Sequence, residues 1–494
     1  MLKKFWFSAA TRAEMDAADA AELGDDRHAE RPGGWRRFLF QRRLMAGEYH
    51  NYPQRWNWSA VMRPLDHRIE EQARTEISRR TLVGLRFFWL DGLFASISEN
   101  FYLGFVPLFA LAYGASAGDI GWLTAVGNLL GAMALFPGAK VLEWLPRRKP
   151  VVLWAGAGVG RIMLLLLALL PFVGTGPRIA IGAIIVLNGL RAFASNFGNP
   201  AWTAIVADLV PAQMRGRYFG NRNLAMGLAA LLVTPLAGFV IRTVNVQTGS
   251  PVIGYQWIFG LAFVFGMIST LFFARIPEPK STTATDYAHK KGDLRRAMRQ
   301  STGFLGLVIS AFIWNMALQV AGPFYNVFLV TEFDASTTTI GLVSSVSSLT
   351  ALFGQRYFGP IMDRKGAVWV ALVSGLVIPV LPLAWMFITA PWQVGAINVL
   401  GGFVWAGYNL AGFALLLDLT PETERPRAVA LYQTAVFASA VLGPILGGYV
   451  ADTVSYQAIF GISAGGRLLG MLIFIFMVAR PISRKLAESR VVPA

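Results

Sequence analysis

The residues of this chain that are best able to do chemistry are ionisable and amide side chains inside long apolar segments. Glu99 and Arg191 lie in two such segments. At membrane depth a carboxylate and a guanidinium can carry a proton, bind a charged solute or pair with each other. Because burial and a neighbouring charge change how readily a carboxyl group takes up a proton, we expect Glu99 to load and release a proton. The alternative is a static Glu99–Arg191 pair that ties two helices together.

Amide and aromatic side chains accompany these two charges at helical spacing. Asn315 and Gln319 begin one polar stripe, and Asn188 and Arg191 begin another. Such a mixture suits a polar or amphipathic solute, anions included. The expected solute and ion site comprises Glu99, Tyr102, Asn188, Arg191, Asn315, Gln319, Asn398, Trp405 and Tyr408.

Long apolar blocks must position these side chains, since the chain is 55% hydrophobic and only 15% charged. Each block is long enough to cross a hydrocarbon core. The pattern predicts an all-α polytopic membrane protein with twelve transmembrane helices. Their approximate bounds are 87–112, 119–139, 150–172, 178–209, 219–241, 255–275, 303–330, 338–358, 367–389, 391–418, 428–450 and 457–479.

The chain contains one apolar unit twice. Asp208-Leu209-Val210-Pro211 returns as Asp418-Leu419-Thr420-Pro421 after 210 positions, and Ile120-Gly121 returns as Ile340-Gly341 after 220 positions. Duplicated membrane halves with a solute site between them are common in secondary transporters. We predict two pseudo-symmetric six-helix bundles with a linker and two cytoplasmic tails, bounded at 1–85, 86–275, 276–300, 301–480 and 481–494.

The placement of charge predicts orientation. With both termini in the cytoplasm, the inside segments hold 39 of the 44 lysines and arginines, which is the positive-inside asymmetry. The net charge of +16 then indicates contact with anionic lipid headgroups and not with nucleic acid. Around Trp35 and Phe38, aromatic and arginine side chains suggest an interfacial helix in the N-terminal tail.

One loop carries a family signature. Residues 359–366, Gly-Pro-Ile-Met-Asp-Arg-Lys-Gly, resemble the G-x-x-x-D-R-x-G loop of the major facilitator superfamily. The loop that begins at Gly138 is a degenerate copy with Glu143, and the segment from Arg191 to Arg217 resembles the family's arginine-bearing motif and the loop after it. The resemblance covers roughly 85–480 and reaches the superfamily only. It implies a central cavity lined by the first, fourth, seventh and tenth helices.

Acidic and basic residues recur at the predicted cytoplasmic helix ends. An acid there attracts a helix N-terminus and nearby arginines. The family resemblance implies that such contacts hold the cytoplasmic side shut and break when it opens, whereas the alternative is ordinary helix-end charge. The predicted gate comprises Glu143, Asp208, Arg215, Arg217, Asp363, Arg364, Asp418, Arg425 and Arg427.

Several kinds of chemistry have no support in the sequence. There are no cysteines, the four histidines lack ligand spacing for zinc, and no phosphate-binding loop is present, so we expect no cofactor, no metal, no enzyme and no ATP-driven pump. We expect a proton-coupled secondary transporter of a small organic solute, working by alternating access in the bacterial inner membrane. Drug efflux and uptake fit equally well.

Two other functions stay open. The fold can serve a non-transporting assembly factor or complex subunit, since the basic tail and two arginines in predicted peripheral helices, Arg161 and Arg467, suit docking to another membrane protein. It can also serve a lipid or lysolipid flippase. We expect Arg161 and Arg467 to lie outside the solute site, and Asp91 to be a helix-end or gate residue.

Overall fold

The computed structural model describes residues 79–145, 147–174, 176–210, 215–277, 303–418 and 425–481. Contacts divide the chain into two units, Met1–Arg79 and Arg80–Ala494, and all the candidate membrane spans found in the described residues belong to the second unit. The predicted interfacial helix, and the predicted linker beyond Pro277, lie outside the described residues.

Twelve helical segments within the described part are long and apolar enough to cross a membrane, which confirms the predicted all-α architecture. Lipid offers no hydrogen bonds, so each segment pairs its backbone groups within its own helix. We number these segments spans 1 to 12: Thr81–Ala112, Ala117–Leu142, Lys149–Val173, Pro177–Val206, Tyr218–Thr248, Ile253–Ala274, Phe304–Phe333, Thr337–Met362, Ala367–Met386, Gln393–Gly412, Leu431–Thr453 and Tyr456–Ala479.

The helices that build these spans differ in continuity. The first half contains α-helices Arg79–Tyr102, Val106–Ala112, Ala117–Trp144, Lys149–Val151, Gly160–Leu169, Pro177–Leu209, Arg215–Thr248 and Ile253–Ala274, with a π-helix at Val152–Val159 and a 3₁₀ turn at Leu170–Val173. The second half contains α-helices Phe304–Ala321, Tyr325–Phe333, Thr337–Lys365, Ala367–Val377, Val380–Met386, Gln393–Asp418, Arg425–Thr453 and Tyr456–Phe474, with a 3₁₀ turn at Gly322–Phe324 and a π-helix at Ile475–Ala479.

The first span of each half is broken at equivalent positions. In span 1 the helix ends at Tyr102 and resumes at Val106, while in span 7 a 3₁₀ turn at Gly322–Phe324 separates two helices. Pro107 is the second residue of the resumed helix in span 1, and Pro323 is the second residue of the 3₁₀ turn in span 7. A missing backbone N–H does no harm at these first positions. The breaks coincide under the 220-residue offset, so both copies interrupt the same helix at the same depth.

The halves meet along two related seams, one between spans 2 and 11 and the other between spans 5 and 8. Glycines allow the backbones to touch there, as in other close membrane helix pairs. A methyl group added at Gly121 would lie 2.5 Å from the Pro444 carbonyl oxygen, and one added at Gly341 would lie 2.7 Å from that of Thr234. Gly121 and Gly341 are equivalent positions of the two copies, so the seams repeat the internal symmetry in three dimensions.

The packing of apolar side chains differs between the two ends of the bundle. We call the end with the loops after spans 1, 3, 5, 7, 9 and 11 the distal end, and the other end the linker end. Near the distal end one core joins side chains of both halves, including Phe109, Phe259, Phe324 and Phe460. Toward the linker end each half has a separate core. The structure is therefore closed between the halves at its distal end.

A carboxylate reinforces the closed distal end. Asp452, at the end of span 11, accepts hydrogen bonds from the backbone N–H groups of Ala117 at 3.0 Å and Gly118 at 2.8 Å. These groups open span 2 in the other half, where the first N–H groups of a helix lack partners and the helix dipole favours an anion. Ser116 and Asp119 cap the same terminus from within their own half.

A buried ion pair braces the first half. The Asp91 carboxylate of span 1 lies 3.9 Å from the Arg222 guanidinium of span 5 and accepts a 2.7 Å hydrogen bond from Ser269 of span 6. Both charged residues are buried, at 6% and 7% exposed. Asp91 therefore joins three spans and is not the helix-end or gate residue that the sequence suggested. The Arg222 side chain is likewise buried between spans.

Replacing Asp91 by alanine should lower the free energy of unfolding by about 3–5 kcal/mol, because the Arg222 guanidinium would remain buried without its partner. The measurement is the thermal unfolding midpoint of the purified protein in detergent. The double variant Asp91→Leu with Arg222→Met removes both charges and should recover most of the loss. If the double variant is as unstable as Asp91→Ala, packing and not charge accounts for the effect.

Candidate functional site

A cavity of about 280 Å³ lies beside the break in span 1 and is lined by three charged side chains. Glu99 comes from span 1, Arg161 from span 3 and Arg191 from span 4. The Glu99 side chain is exposed to this space, and no hydrogen bond or ion pair joins its carboxylate to any residue in the described ranges. The site thus presents an open carboxylate and two guanidiniums to the same volume.

Arg191 is held in a fixed direction. Its Nη1 donates a 2.8 Å hydrogen bond to the Tyr102 hydroxyl, and its guanidinium carbon lies 4.8 Å from the centre of that ring. Nε and Nη2 both donate to the Asn188 side-chain oxygen, at 3.4 and 3.2 Å. Asn188 lies three residues earlier on the same helix face. The structure therefore gathers three of the sequence-predicted residues, Glu99, Tyr102 and Arg191, around this cavity, and Asn188 holds Arg191 from the adjoining space.

Arg161 lies in the wall of this cavity, contrary to the expectation that a residue of span 3 would be peripheral. The π-helix at Val152–Val159 ends two residues before it, and π-helical turns of this kind are frequent at functional sites. Its Nη1 donates to the Ser98 hydroxyl at 3.0 Å, and Ser98 donates in turn to the Ala262 carbonyl oxygen at 2.6 Å. Its Nε is buried and has no hydrogen-bond partner among the described residues.

A second cavity of about 330 Å³ adjoins the first and shares Arg191, Leu103 and Ser195 with it. Its lining is neutral apart from Arg191 and combines apolar and amide side chains. Phe437 of span 11 contributes a wall from the second half. The other lining residues are Val106, Pro107, Leu123, Thr124, Gly127, Asn128, Gly131, Asn188, Ala192 and Asn196. The two cavities together pair a charged compartment with a mostly uncharged one.

The predicted residues of the second half have other contacts. Asn398 donates a 2.7 Å hydrogen bond to the Val343 carbonyl oxygen and so ties span 10 to span 8. Asn315 donates to the Ala311 carbonyl oxygen of its own helix at 2.8 Å. Gln319 is half-buried and lines neither of the two cavities described above.

The two aromatic residues predicted for the site lie in the core of the second half. Tyr408 stacks on Trp314 with ring centres 4.6 Å apart, and Trp405 meets both rings edge to face. Neither Trp405 nor Tyr408 lines the two cavities. Their assignment to the solute site remains a prediction.

Three cavity residues escaped sequence reasoning, namely Arg161, Asn128 and Asn196. Asn196 falls between the positions of the stripe that begins at Asn188, and Asn128 stands alone in a Gly-rich helix. Two sequence signals could have found the site: the prolines Pro107 and Pro323, which lie close to the breaks of spans 1 and 7, and the presence of a second arginine at membrane depth.

Most residues of the predicted cytoplasmic gate, at the linker end, have side chains that are not among those described. This applies to Glu143, Arg215, Arg217, Asp363, Asp418, Arg425 and Arg427. Arg364 is exposed, and Asp208 forms a 2.8 Å ion pair with Arg148 of its own half. Because this pair is partly exposed, its contribution to stability is about 1 kcal/mol or less. The gate role of these residues remains a prediction.

Two curated relatives from bacteria are multidrug resistance proteins by name. The chain is 23% identical over 385 residues to a "Multi-drug resistance efflux pump PmrA homolog" of Lactococcus lactis subsp. lactis (strain IL1403), a match that covers 75% of this chain and 88% of that protein. It is 26% identical over 396 residues to the "Multidrug resistance protein MdtG" of Citrobacter koseri (strain ATCC BAA-895 / CDC 4225-83 / SGSC4696), covering 76% of this chain and 90% of the relative.

The solved structure of a transporter has a similar fold. A D-xylose–proton symporter superposes with a TM-score of 0.60 at 16% identity, covering 81% of this chain and 97% of the symporter. The sequence model of the Major Facilitator Superfamily matches residues 88–325 and residues 303–493, so it covers both halves. With the duplicated six-span halves and the cavity beside them, these matches identify the protein: it is a membrane transporter of the major facilitator superfamily.

Proposed function

We propose that this protein is a proton-coupled secondary transporter that moves a small organic solute across the bacterial inner membrane. The observation that supports this most directly is the open carboxylate of Glu99, which faces Arg161 and Arg191 beside the break in span 1. Interrupted helices at membrane depth commonly form solute and ion sites in transporters, because their ends leave backbone groups available to a ligand.

In this proposal Glu99 carries the proton. Its carboxylate has no partner among the described residues, and a charge at membrane depth without a fixed partner is costly unless it faces a cavity or is neutralised. Tyr102 and Asn188 position Arg191 and need not touch the solute themselves. The static Glu99–Arg191 pair that the sequence left open receives no support, since Arg191 instead bonds to Tyr102 and Asn188.

Transport would proceed by alternating access, in which one half rocks against the other around the cavities. The described conformation is closed at the distal end by the two glycine seams and by Asp452. If the termini are cytoplasmic, as the charge pattern predicts, the distal end faces the outside. Opening it would break the Asp452 hydrogen bonds and expose the cavities to that side.

The names of the relatives favour export among the two directions, since both are multidrug resistance proteins. The alternative of docking to another membrane protein is weakened, because Arg161, one of the two arginines proposed as contacts, lines a cavity. For the flippase alternative, no feature of the described residues supplies a specific argument.

The proton role of Glu99 predicts a pH dependence of solute binding. We expect the strongest ligand from a thermal-shift screen to raise the unfolding temperature differently at pH 5.5 and pH 8, because ligand binding stabilises the folded state by mass action. In Glu99→Gln the side chain is permanently neutral, so the two shifts should become equal.

The matched control is Glu332→Gln, which neutralises an exposed acid at the distal end of span 7. That variant should retain the pH dependence of the wild type. A pH dependence that survives in Glu99→Gln would exclude Glu99 as the proton carrier.

The distal closure predicts a shift in conformation when Asp452 is replaced by alanine. Loss of the two bonds to a helix N-terminus removes about 1 kcal/mol, which corresponds to a roughly five-fold rise in the distal-open population. The chain has no native cysteine, so spin labels on Arg178→Cys and Phe387→Cys report the distance between the halves. Both positions are exposed near the distal end, one in each half.

Asp119→Ala serves as the control for this measurement. It removes a carboxylate from the same helix terminus, but one that bonds only within its own half. We expect the distance distribution of Asp119→Ala to match that of the parent. Equal distributions for Asp452→Ala and Asp119→Ala would show that the inter-half bonds do not hold the distal end closed.

A further inference from the structure

We propose that the solute is an amphipathic organic anion, and that it competes with the ionised Glu99 carboxylate for Arg161 and Arg191, so that the anion and the proton bind together. This inference rests on the proposed function, since it concerns the same cavity. It adds the charge of the solute and the sign of its coupling to the proton. Joint binding of proton and anion implies uptake driven by an inward proton gradient, and not the export that the names of the relatives favour.

The first argument is the charge of the smaller cavity. With Glu99 ionised, the two guanidiniums leave an excess of one positive charge, and protonation of Glu99 raises the excess to two. Either state attracts an anion and repels a cation. Among the described residues, Asp91 and Arg222 also lie within electrostatic range of Glu99, and they neutralise each other as a buried ion pair. Tyr102 faces the same space but is engaged by Arg191.

The second argument is that Arg161 has hydrogen-bond donors without partners among the described residues. Arg161 is half-buried, and Ser98 is the one hydrogen-bond partner of its guanidinium among the described residues, through Nη1, so that Nη2 donates to none of them. Its Nε is buried against Gly266 and also has no partner there. Arginine presents its donors as a planar fork that matches the oxygens of a carboxylate, sulfonate or phosphonate. The cavity therefore contains a preformed half of an anion site.

The third argument is the compartment next to it. The larger cavity adds apolar contacts from Leu103, Val106 and Phe437 to amide groups from Asn128 and Asn196, and Arg191 stands between the two spaces. Pockets that hold small organic molecules are mostly apolar, with a few polar groups that fix orientation. An anionic head group beside Arg161 and Arg191, with its body in the larger cavity, uses both compartments.

These features set the sign of the coupling. An ionised Glu99 and a bound anion place two negative charges against the same pair of arginines, whereas a protonated Glu99 leaves both arginines to the anion. Proton and anion therefore promote each other's binding, and by thermodynamic linkage the effect is reciprocal. A cationic solute would behave in the opposite way and would exchange for the proton at Glu99.

Three probes with one benzyl body test the charge preference: phenylmethanesulfonate, benzyltrimethylammonium and benzyl alcohol. The sulfonate stays ionised between pH 5.5 and pH 8, so any pH dependence belongs to the protein. We expect the wild type to bind the sulfonate on the order of ten-fold more tightly at pH 5.5 than at pH 8, measured by calorimetry on the purified full chain. Preference for benzyltrimethylammonium would overturn the inference, as would failure of all three probes to bind.

Three single substitutions test which residues determine the affinity for the sulfonate and its pH dependence. Glu99→Gln should bind the sulfonate tightly at both pH values, and Arg161→Gln should bind it about ten-fold more weakly at both. Arg178→Gln, which removes an exposed distal charge, should leave affinity unchanged. Unchanged affinity in a folded Arg161→Gln would overturn the role of Arg161.

Gly266→Ala provides a second test of Arg161 that keeps the charge, in case Arg161→Gln fails to fold. A methyl group there would lie 2.5 Å from Arg161 Cδ and 2.6 Å from Nε, so the side chain must shift. We expect weaker sulfonate binding with the melting temperature of the ligand-free protein retained. Unaltered binding in Gly266→Ala would contradict a fixed anion site at Arg161.

Measurements of transport distinguish a failure of this inference from a failure of the proposed function. In proteoliposomes with trapped pyranine, external sulfonate should acidify the lumen, because anion and proton enter together. Alkalinisation by benzyltrimethylammonium that depends on Glu99 would retain proton-coupled transport and overturn the anion. Sulfonate binding with the expected pH dependence but without proton movement would retain the anion site and overturn proton-coupled transport.

Discussion

The structure depends on one constraint, that a backbone in lipid must pair its polar groups within its own helix. Regular helix satisfies this constraint along most of the twelve spans. The places where the helix is irregular therefore need a separate explanation. The breaks after Tyr102 and after Ala321 fall at equivalent places in the two copies. Glu99 lies one turn before the first break, and Gln319 takes the same place before the second. The duplication thus preserved an irregularity that a purely structural bundle would not need.

Lipid also makes every buried charge costly in free energy. The charges of the first half are accommodated in two ways. Asp91 and Arg222 neutralise each other and gain Ser269 as a further partner, which makes them a brace between spans 1, 5 and 6. Glu99, Arg161 and Arg191 face open space instead, with the arginines anchored by neutral hydroxyl and amide groups. The contrast separates a structural set of charges from the set that we propose to be functional.

The two halves kept the same scaffold but not the same chemistry. At positions related by the 220- and 210-residue offsets, Glu99 corresponds to Gln319 and Arg191 to Gly401, while Asn188 corresponds to Asn398. Asn188 orients an arginine, whereas Asn398, with no arginine beside it, ties two helices together. Close glycine contacts recur on both seams, because any bulk there would separate the halves. The charged side chains of the two cavities therefore all come from the first half, and the second half contributes a wall through Phe437.

The sequence by itself determined the class of protein, the twelve spans and the duplication, because hydrophobic length and repeated residues are properties of the chain and need no knowledge of packing. It also identified Glu99 and Arg191, since a charge in an apolar run stands out without any structure. Only the tertiary structure decided which charges face each other. Helix rotation and local π-helix turn Arg161 toward the cavity, bury Asp91 against Arg222, and direct Asn398 to a backbone carbonyl. Those outcomes depend on contacts between spans far apart in the chain, which spacing along a single helix does not encode.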